Sequence, residues 1–450
     1  MSSGQQATTN LPAAPDEALA LRTRTHVTRR LVPYLMFIYF FAYLDRANVG
    51  VAKLQMQKDL NFNDAVIGFG AGIFFVGYML LDLPGSLIVE RWSARKWIAR
   101  IMVSWGLVAA LMAFLGGPLF GSLRPATQFY GLRLLLGIAE AGFFPGVIVY
   151  LSHWFRAEDR ARAKAYFMVT QPVAVAVGIP LSRWILENAG WFGLAGWRWV
   201  FILEGLPPVV MGLVTLWYLT DRPRQARWLP ADEKQWLIGE LKAEEARKVS
   251  AGRVRITDAL RRPQTYLLIG VFFLTCAGNQ ALIFFLPSIT DGMKSLPVGI
   301  RTLAAGLPYA CSALGILLNG MWAHRTGRLR WHTAAPMLAT GISLALTILA
   351  GDRLWLMVAM FCLAGFTSQA YLPAFWTLPT TMLGKSAAAT AVGLIQIGNL
   401  GGLAGPWLFG YLKTITGRYD AGLWVLAGCM LLAGTLATRI RAVRVPGAPH

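Results

Sequence analysis

Stretches apolar enough and long enough to cross a bilayer recur along the whole of this chain, and that recurrence fixes the solvent in which it folds. A helical crossing takes about 20 residues at a rise of about 1.5 Å each. Segments of this kind are expected at 31–51, 65–88, 97–117, 127–149, 164–186, 199–219, 265–287, 299–322, 333–350, 354–379, 388–412 and 421–438. Hydrocarbon offers no partner to backbone N–H and C=O groups, so each segment must satisfy them internally as a helix. The expected fold class is therefore an all-α membrane protein of twelve transmembrane helices. Composition agrees, with 56% hydrophobic and 14% charged residues, where soluble domains carry about 25% charged.

The remaining chain divides these spans. The first twenty residues, MSSGQQATTNLPAAPDEALA, lack the basic start and apolar core of a targeting peptide. Residues 1–26 are expected to be a disordered tail, 27–219 a six-helix bundle, 220–263 a cytoplasmic connection, 264–440 a second six-helix bundle, and 441–450 a tail. Within the connection, Pro230 opens a run whose Trp236, Leu237 and Leu241 suit a short amphipathic helix. Of the 42 Lys and Arg residues, 30 fall on the side of the termini and 10 in the opposite loops. By the positive-inside rule both termini are expected in the cytoplasm.

Several functions fit poorly. The net charge of +20 is dispersed over short loops instead of forming the stripe that binds nucleic acid. Cys276, Cys311, Cys362 and Cys429 lie inside spans without metal-ligand spacing and read as packing residues. The string nearest to a phosphate loop, PTTMLGKS (379–386), has proline where the first glycine must stand, so no ATP-driven pump is indicated. The five histidines lie in tails or at loop edges, and no Gly-x-Ser-x-Gly elbow occurs, so enzyme chemistry has no visible machinery. No cofactor is expected.

The two halves echo one another. Gln171 precedes Gly178-Ile179-Pro180 in the fifth span, and Gln396 precedes Ala404-Gly405-Pro406 in the eleventh. ERWSARK (90–96) after the second span corresponds to HRTGRLR (324–330) after the eighth. Repeated halves are a signature of carriers that alternate access to a site near the midplane.

Charges within spans are costly unless paired or wet, which makes each a candidate functional residue. Asp45 and Arg46 are adjacent in the first span, while Arg133 and Glu140 share one face of the fourth. Counting rise from the span ends puts Asp45 and Arg133 at one level and Glu140 roughly 10 Å deeper. If the first and fourth spans are neighbours, two arginines and two acids meet around one cavity. The guanidinium fork of Arg46 or Arg133 suits a carboxylate, and Asp45 and Glu140 suit proton transfer. Two structural ion pairs locking helices together are the alternative. Asp82 fits a loop anchor better than a proton carrier, and Glu204 is a further buried acid without an evident partner. Gln171, Gln396, Asn279 and Gln280 are the polar residues at mid-depth.

The chain resembles the major facilitator superfamily, and within it the anion:cation symporter family, through YLDRANVG (43–50), LPGSLIVERWSARKWIARI (83–101), GLRLLLGIAEAGFFPGVIVYLSHWF (131–155), GWRWVFILEGLPP (196–208) and LTDRPRQARWL (219–229). The fourth- and sixth-span strings are most similar to bacterial tartrate-type transporters. The resemblance implies proton symport of a small organic anion, such as tartrate, an aromatic acid or a sugar acid, by rocking of two pseudo-symmetric bundles. It implies a monomer working in the lipid bilayer of the cell membrane. Asp45 and Glu140 match the proton-coupling acids, Arg46 and Arg133 the anion-binding arginines, and Tyr43, Tyr78, Gln171, Trp376 and Gln396 the cavity lining. Asp82, Glu90, Arg91 and Arg95 match the first gating loop, and Arg325, Gly327 and Arg328 the second. Ser93 replaces the usual glycine, His324 a common aspartate, and Gln396 an expected asparagine. A sodium-coupled or exporting carrier of the same fold, or a membrane receptor or enzyme, stands as the alternative.

Overall fold

The computed structural model describes residues 14–249, 263–351, 353–379 and 392–440, and all regular structure among them is helical. The first half comprises α1 (Ala14–Asp59), α2 (Asp64–Arg91), α3 (Ala94–Leu111), α4 (Pro125–Glu140), α5 (Phe143–Trp154), α6 (Ala157–Asn188) and α7 (Gly196–Tyr218). The connecting helix α8 (Ala231–Val249) follows. The second half comprises α9 (Pro263–Asp291), α10 (Val298–Thr326), α11 (Leu329–Leu349), α12 (Leu354–Ser368), the short α13 (Leu372–Phe375), α14 (Gly401–Thr416) and α15 (Asp420–Thr438).

Among the described residues, eleven helical stretches are long and apolar enough to cross a membrane. The expected span at 388–412 is described only from residue 392, as a 3-10 turn at Gln396–Leu400 leading into α14. The expected fourth and tenth spans are each interrupted. Gly142 takes a left-handed φ of 79° between α4 and α5, so the helix stops at Glu140. In the second half the helix stops at Ser368 and resumes at Leu372, beside Pro373.

One expectation needs correction. The chain is helical from Ala14, so residues 14–26 are not a disordered tail. Charge explains the order: Arg22 pairs with Asp232 and, at 2.9 Å, with Glu233, while Arg24 meets Asp159 at 3.2 Å. The expected amphipathic helix in the connection is α8, with Leu237 buried against the first half. Arg156–Glu240 and Arg160–Glu244, each 2.9 Å, fasten α8 to the start of α6.

Small residues set how closely helices approach. A Cβ on Gly137 of α4 would stand 2.0 Å from the Phe74 carbonyl oxygen of α2. Only glycine permits that contact, which brings the face carrying Glu140 beside α2. Across the halves, α2 packs on α14, α6 on α10 and α1 on α9. These contacts lie towards the end away from the termini. Arg183 of α6 reaches Asp291 of α9 at 3.1 Å, and the Ala65 amide donates to Thr414 at 2.9 Å. Buried Lys53 of α1 sits 3.7 Å over the ring of Phe285 of α9 and 3.5 Å from Asp64. Together they seal one end of the interface.

Candidate functional site

Below that seal, a cavity of about 930 Å³, counting its open mouth, lies between the halves. The first half lines it with charge and phenols: Arg46, Glu140, Tyr39, Tyr43, Tyr78 and Gln171. The second lines it with amides and an indole: Asn279, Gln280, Gln369, Gln396, Asn399 and Trp376. An ionic group thus faces a neutral hydrogen-bonding wall.

Arg46 is the centre of the charged side. Its Nη2 donates to Glu140 Oε1 at 2.5 Å and its Nη1 to the Tyr43 hydroxyl at 3.3 Å. The guanidinium lies over the rings of Tyr43, Phe74 and Tyr78 at 4.8, 5.1 and 5.1 Å. Aromatic faces favour a desolvated cation and fix its plane. Glu140 ends α4 just before the Gly142 break and lines the cavity, and its buried Oε2 has no hydrogen-bond partner among the described residues.

Seven of the nine expected site residues, Tyr43, Arg46, Tyr78, Glu140, Gln171, Trp376 and Gln396, line this one cavity. Arg133 and Asp45 do not. Arg133 is fully buried behind Phe74, donating to the carbonyls of Gly70 at 3.2 Å and Ala71 at 3.4 Å, with Phe284 of α9 5.9 Å from its guanidinium. It stands on the sealed side, so an expected substrate ligand is closed off by the other half. Asp45 is buried beside Asn48, whose amide donates to Oδ1 at 3.1 Å, and Arg133 is the largest electrostatic influence on it. Glu204, expected without a partner, accepts from Ser182 Oγ at 2.7 Å.

Sequence reasoning passed over Tyr39, Gln369 and Asn399, and it read Cys276 as packing although the thiol lines the cavity. The amides had a signal: polar residues in apolar spans, with Asn399 three residues beyond Gln396 and donating to it at 3.1 Å. Of the loop residues, Arg95 is tied within its own half, its backbone amide to Asp221 at 2.9 Å and its guanidinium to the Leu216 carbonyl at 3.1 Å. Ser93 caps α3 and donates to Asp221 at 2.8 Å, so its hydroxyl adds an anchor that glycine lacks. Gly327 takes φ 62° to end α10, leaving Arg325 and Arg328 exposed around it. The side chains of Asp82, Glu90 and Arg91 lie outside the described residues.

Comparison with known proteins agrees with this arrangement. The sequence profile of the Major Facilitator Superfamily matches residues 35–406. A candidate tartrate transporter of Agrobacterium vitis is 40% identical, covering 95% of this chain and 96% of its own. A quinolone resistance transporter of Acinetobacter baumannii is 36% identical over 92% of this chain and 93% of its own. Among solved structures, the inward-open xylose transporter XylE from E. coli superposes with a TM-score of 0.71 at 16% identity, over 93% of this chain and 97% of its own. Twelve expected spans in two halves, a polar cavity between them and these relationships lead to one conclusion: the chain belongs to the Major Facilitator Superfamily and is a multi-pass membrane transporter, not an enzyme.

Proposed function

We propose that this protein imports a small organic carboxylate together with protons across the cell membrane, with both termini in the cytoplasm, as a member of the anion:cation symporter branch of its superfamily. The observation that carries the reading is Arg46, a cavity cation whose fork is engaged by an internal carboxylate, Glu140, at 2.5 Å. An incoming carboxylate competes for the same N–H donors. When it wins, Glu140 loses its counter-charge in a poorly hydrated site, and its neutral, protonated form is favoured. When Glu140 is protonated first, Arg46 is free to bind. Either order couples one proton to one anion without any cofactor.

The seal carries the other half of the cycle. Rocking the halves apart at Arg183–Asp291 and Lys53–Phe285 lifts Phe284 from Arg133 and presents that second guanidinium to the outside. Arg133 then attracts the anion, and Arg46 holds it at mid-depth. The loop residues Arg95, Asp82, Glu90 and Arg91, and Arg325, Gly327 and Arg328, act at the opposite gate. The protein works as a monomer, each copy holding a complete cavity.

Thermal-shift screening of hydroxy-, sugar and aromatic acids tests the ligand class. Members that stabilise the wild type should fail to stabilise Arg46→Ala. Stabilisation that persists in Arg46→Ala overturns the assignment. Efflux is the second reading, favoured by the name of the Acinetobacter baumannii relative. Transport in vesicles of known orientation separates the two.

A further inference from the structure

Behind the cavity, α1, α6 and α7 enclose a second polar cluster that the Arg46–Glu140 exchange does not use. Glu204 on α7 is 2% exposed and Asp45 on α1 is 1% exposed, with Asn48 fully buried between them. Asn48 donates to Asp45 Oδ1 at 3.1 Å, Ser182 donates to Glu204 Oε1 at 2.7 Å, and Asn48 is among the groups that act on Glu204. Three oxygens are left over. Asp45 Oδ2, Glu204 Oε2 and Asn48 Oδ1 are all buried, and none has a donor among the described residues.

That inventory is short of hydrogens. Ionised carboxylates only accept, whereas a protonated one supplies an O–H donor. A buried acceptor without a donor is costly, and more so when charged. The charges around the two acids are also uneven. Arg133, Glu140 and Arg46 act on Asp45, whereas among the described residues Asp45 is the charged group found to act on Glu204. From α6 Glu204 meets neutral Ser182, and from α3 its turn of α7 meets Gly106, Ala109 and Ala110. Two carboxylates sharing a dry site do not both stay ionised, and only one of these two has cations near it.

We infer that Glu204 is a second proton-carrying residue of the transport cycle, exchanging a proton with Asp45 across Asn48. Asp45 adjoins the cavity group through the chain, since its neighbour in α1, Arg46, holds Glu140 at 2.5 Å. When Glu140 hands its proton on to this pair and takes up another from the cavity, the cycle moves one more proton than the Arg46–Glu140 exchange alone supplies. The inference rests on the proton-coupled reading above.

The test is the dependence of carboxylate accumulation on an imposed pH gradient, in proteoliposomes holding the full-length protein and L-tartrate or whichever panel acid the wild type accumulates best. Each coupled proton multiplies the accumulation ratio by about tenfold per unit of gradient. Glu204→Gln, which keeps the shape of the protonated acid, should lose one such factor while retaining gradient-free exchange; Glu204→Asp should restore it. An unchanged factor in Glu204→Gln overturns the inference. If the wild type itself shows no dependence on the gradient, proton coupling as a whole has failed, a separate result. Should Glu204→Gln not reach the membrane, Ser182→Ala removes a donor that favours the ionised form and should move the pH profile of uptake upward. An unmoved profile also counts against Glu204.

Discussion

Replacing Glu140 by glutamine should tighten anion binding and remove most of its pH dependence. In the wild type, an anion reaches Arg46 only by displacing a buried carboxylate bonded to it at 2.5 Å. A hydrogen bond to a charged group contributes about 1.5–3 kcal/mol. At about 1.4 kcal/mol per tenfold, releasing Arg46 from it strengthens binding about 10- to 100-fold. The sign with pH follows from the same competition. Acidification protonates Glu140 and frees Arg46, so wild-type binding tightens as pH falls, whereas Glu140→Gln behaves at every pH like the acidified wild type. Equilibrium binding to purified protein from mildly acidic to mildly alkaline pH measures both effects. If Glu140→Gln keeps the wild-type affinity and the wild-type slope with pH, Glu140 is not the competitor and the coupling mechanism is refuted.

Further predictions separate residues that hold a half together from residues that set the cycle. Arg133→Ala removes a fully buried guanidinium that ties α4 to the Gly70 and Ala71 carbonyls of α2, where a hydrogen bond from a charged group contributes about 1.5–3 kcal/mol, and should lower the melting temperature and yield; normal melting with binding abolished would instead make Arg133 a direct ligand in this state. Gly137→Ala drives a Cβ to 2.0 Å from a carbonyl within the first half and should impair folding, whereas Gly68→Ala meets the Pro406 carbonyl at 2.3 Å across the halves. Gly68→Ala should therefore fold but favour the state open at the far end, read as faster labelling of Thr290→Cys, a buried position between the halves at the sealed end, in a background lacking the native cysteines. Asp291→Asn should move the same balance by roughly fivefold, since a partly buried, still solvated ion pair such as Arg183–Asp291 contributes about 1 kcal/mol. No change in labelling would remove that pair from the gate.

Which residues carry the cavity's charge was legible in the sequence, and rotation was not. Arg46 and Glu140 stand out as charges in apolar spans because that is a property of each helix alone. Which way a side chain faces depends on where the neighbouring helices stand. Adjacent residues on a helix point about 100° apart, so Asp45 and Arg46 divide between the interior of the first half and the cavity. Arg133 and Glu140 share a face, yet one lies under the seal and the other at the cavity, a distinction set by Phe284 of the opposite half. The breaks after Glu140 and Ser368 were hidden because the flanking residues are as apolar as the spans themselves. Gly142 and Pro373 mark them only in retrospect, since glycine and proline are common in membrane helices. The ordered start of α1 was missed for another reason: its partners, Asp159, Asp232 and Glu233, are far away in sequence.

Accumulation in sealed proteoliposomes is the most direct test of proton-driven carboxylate import. With an inward proton gradient and a labelled acid that the wild type binds, internal label should rise above the external level and collapse when a protonophore is added. Glu140→Gln should exchange label across the membrane without accumulating it. Accumulation that survives the protonophore, or that Glu140→Gln sustains at the wild-type level, would contradict the account.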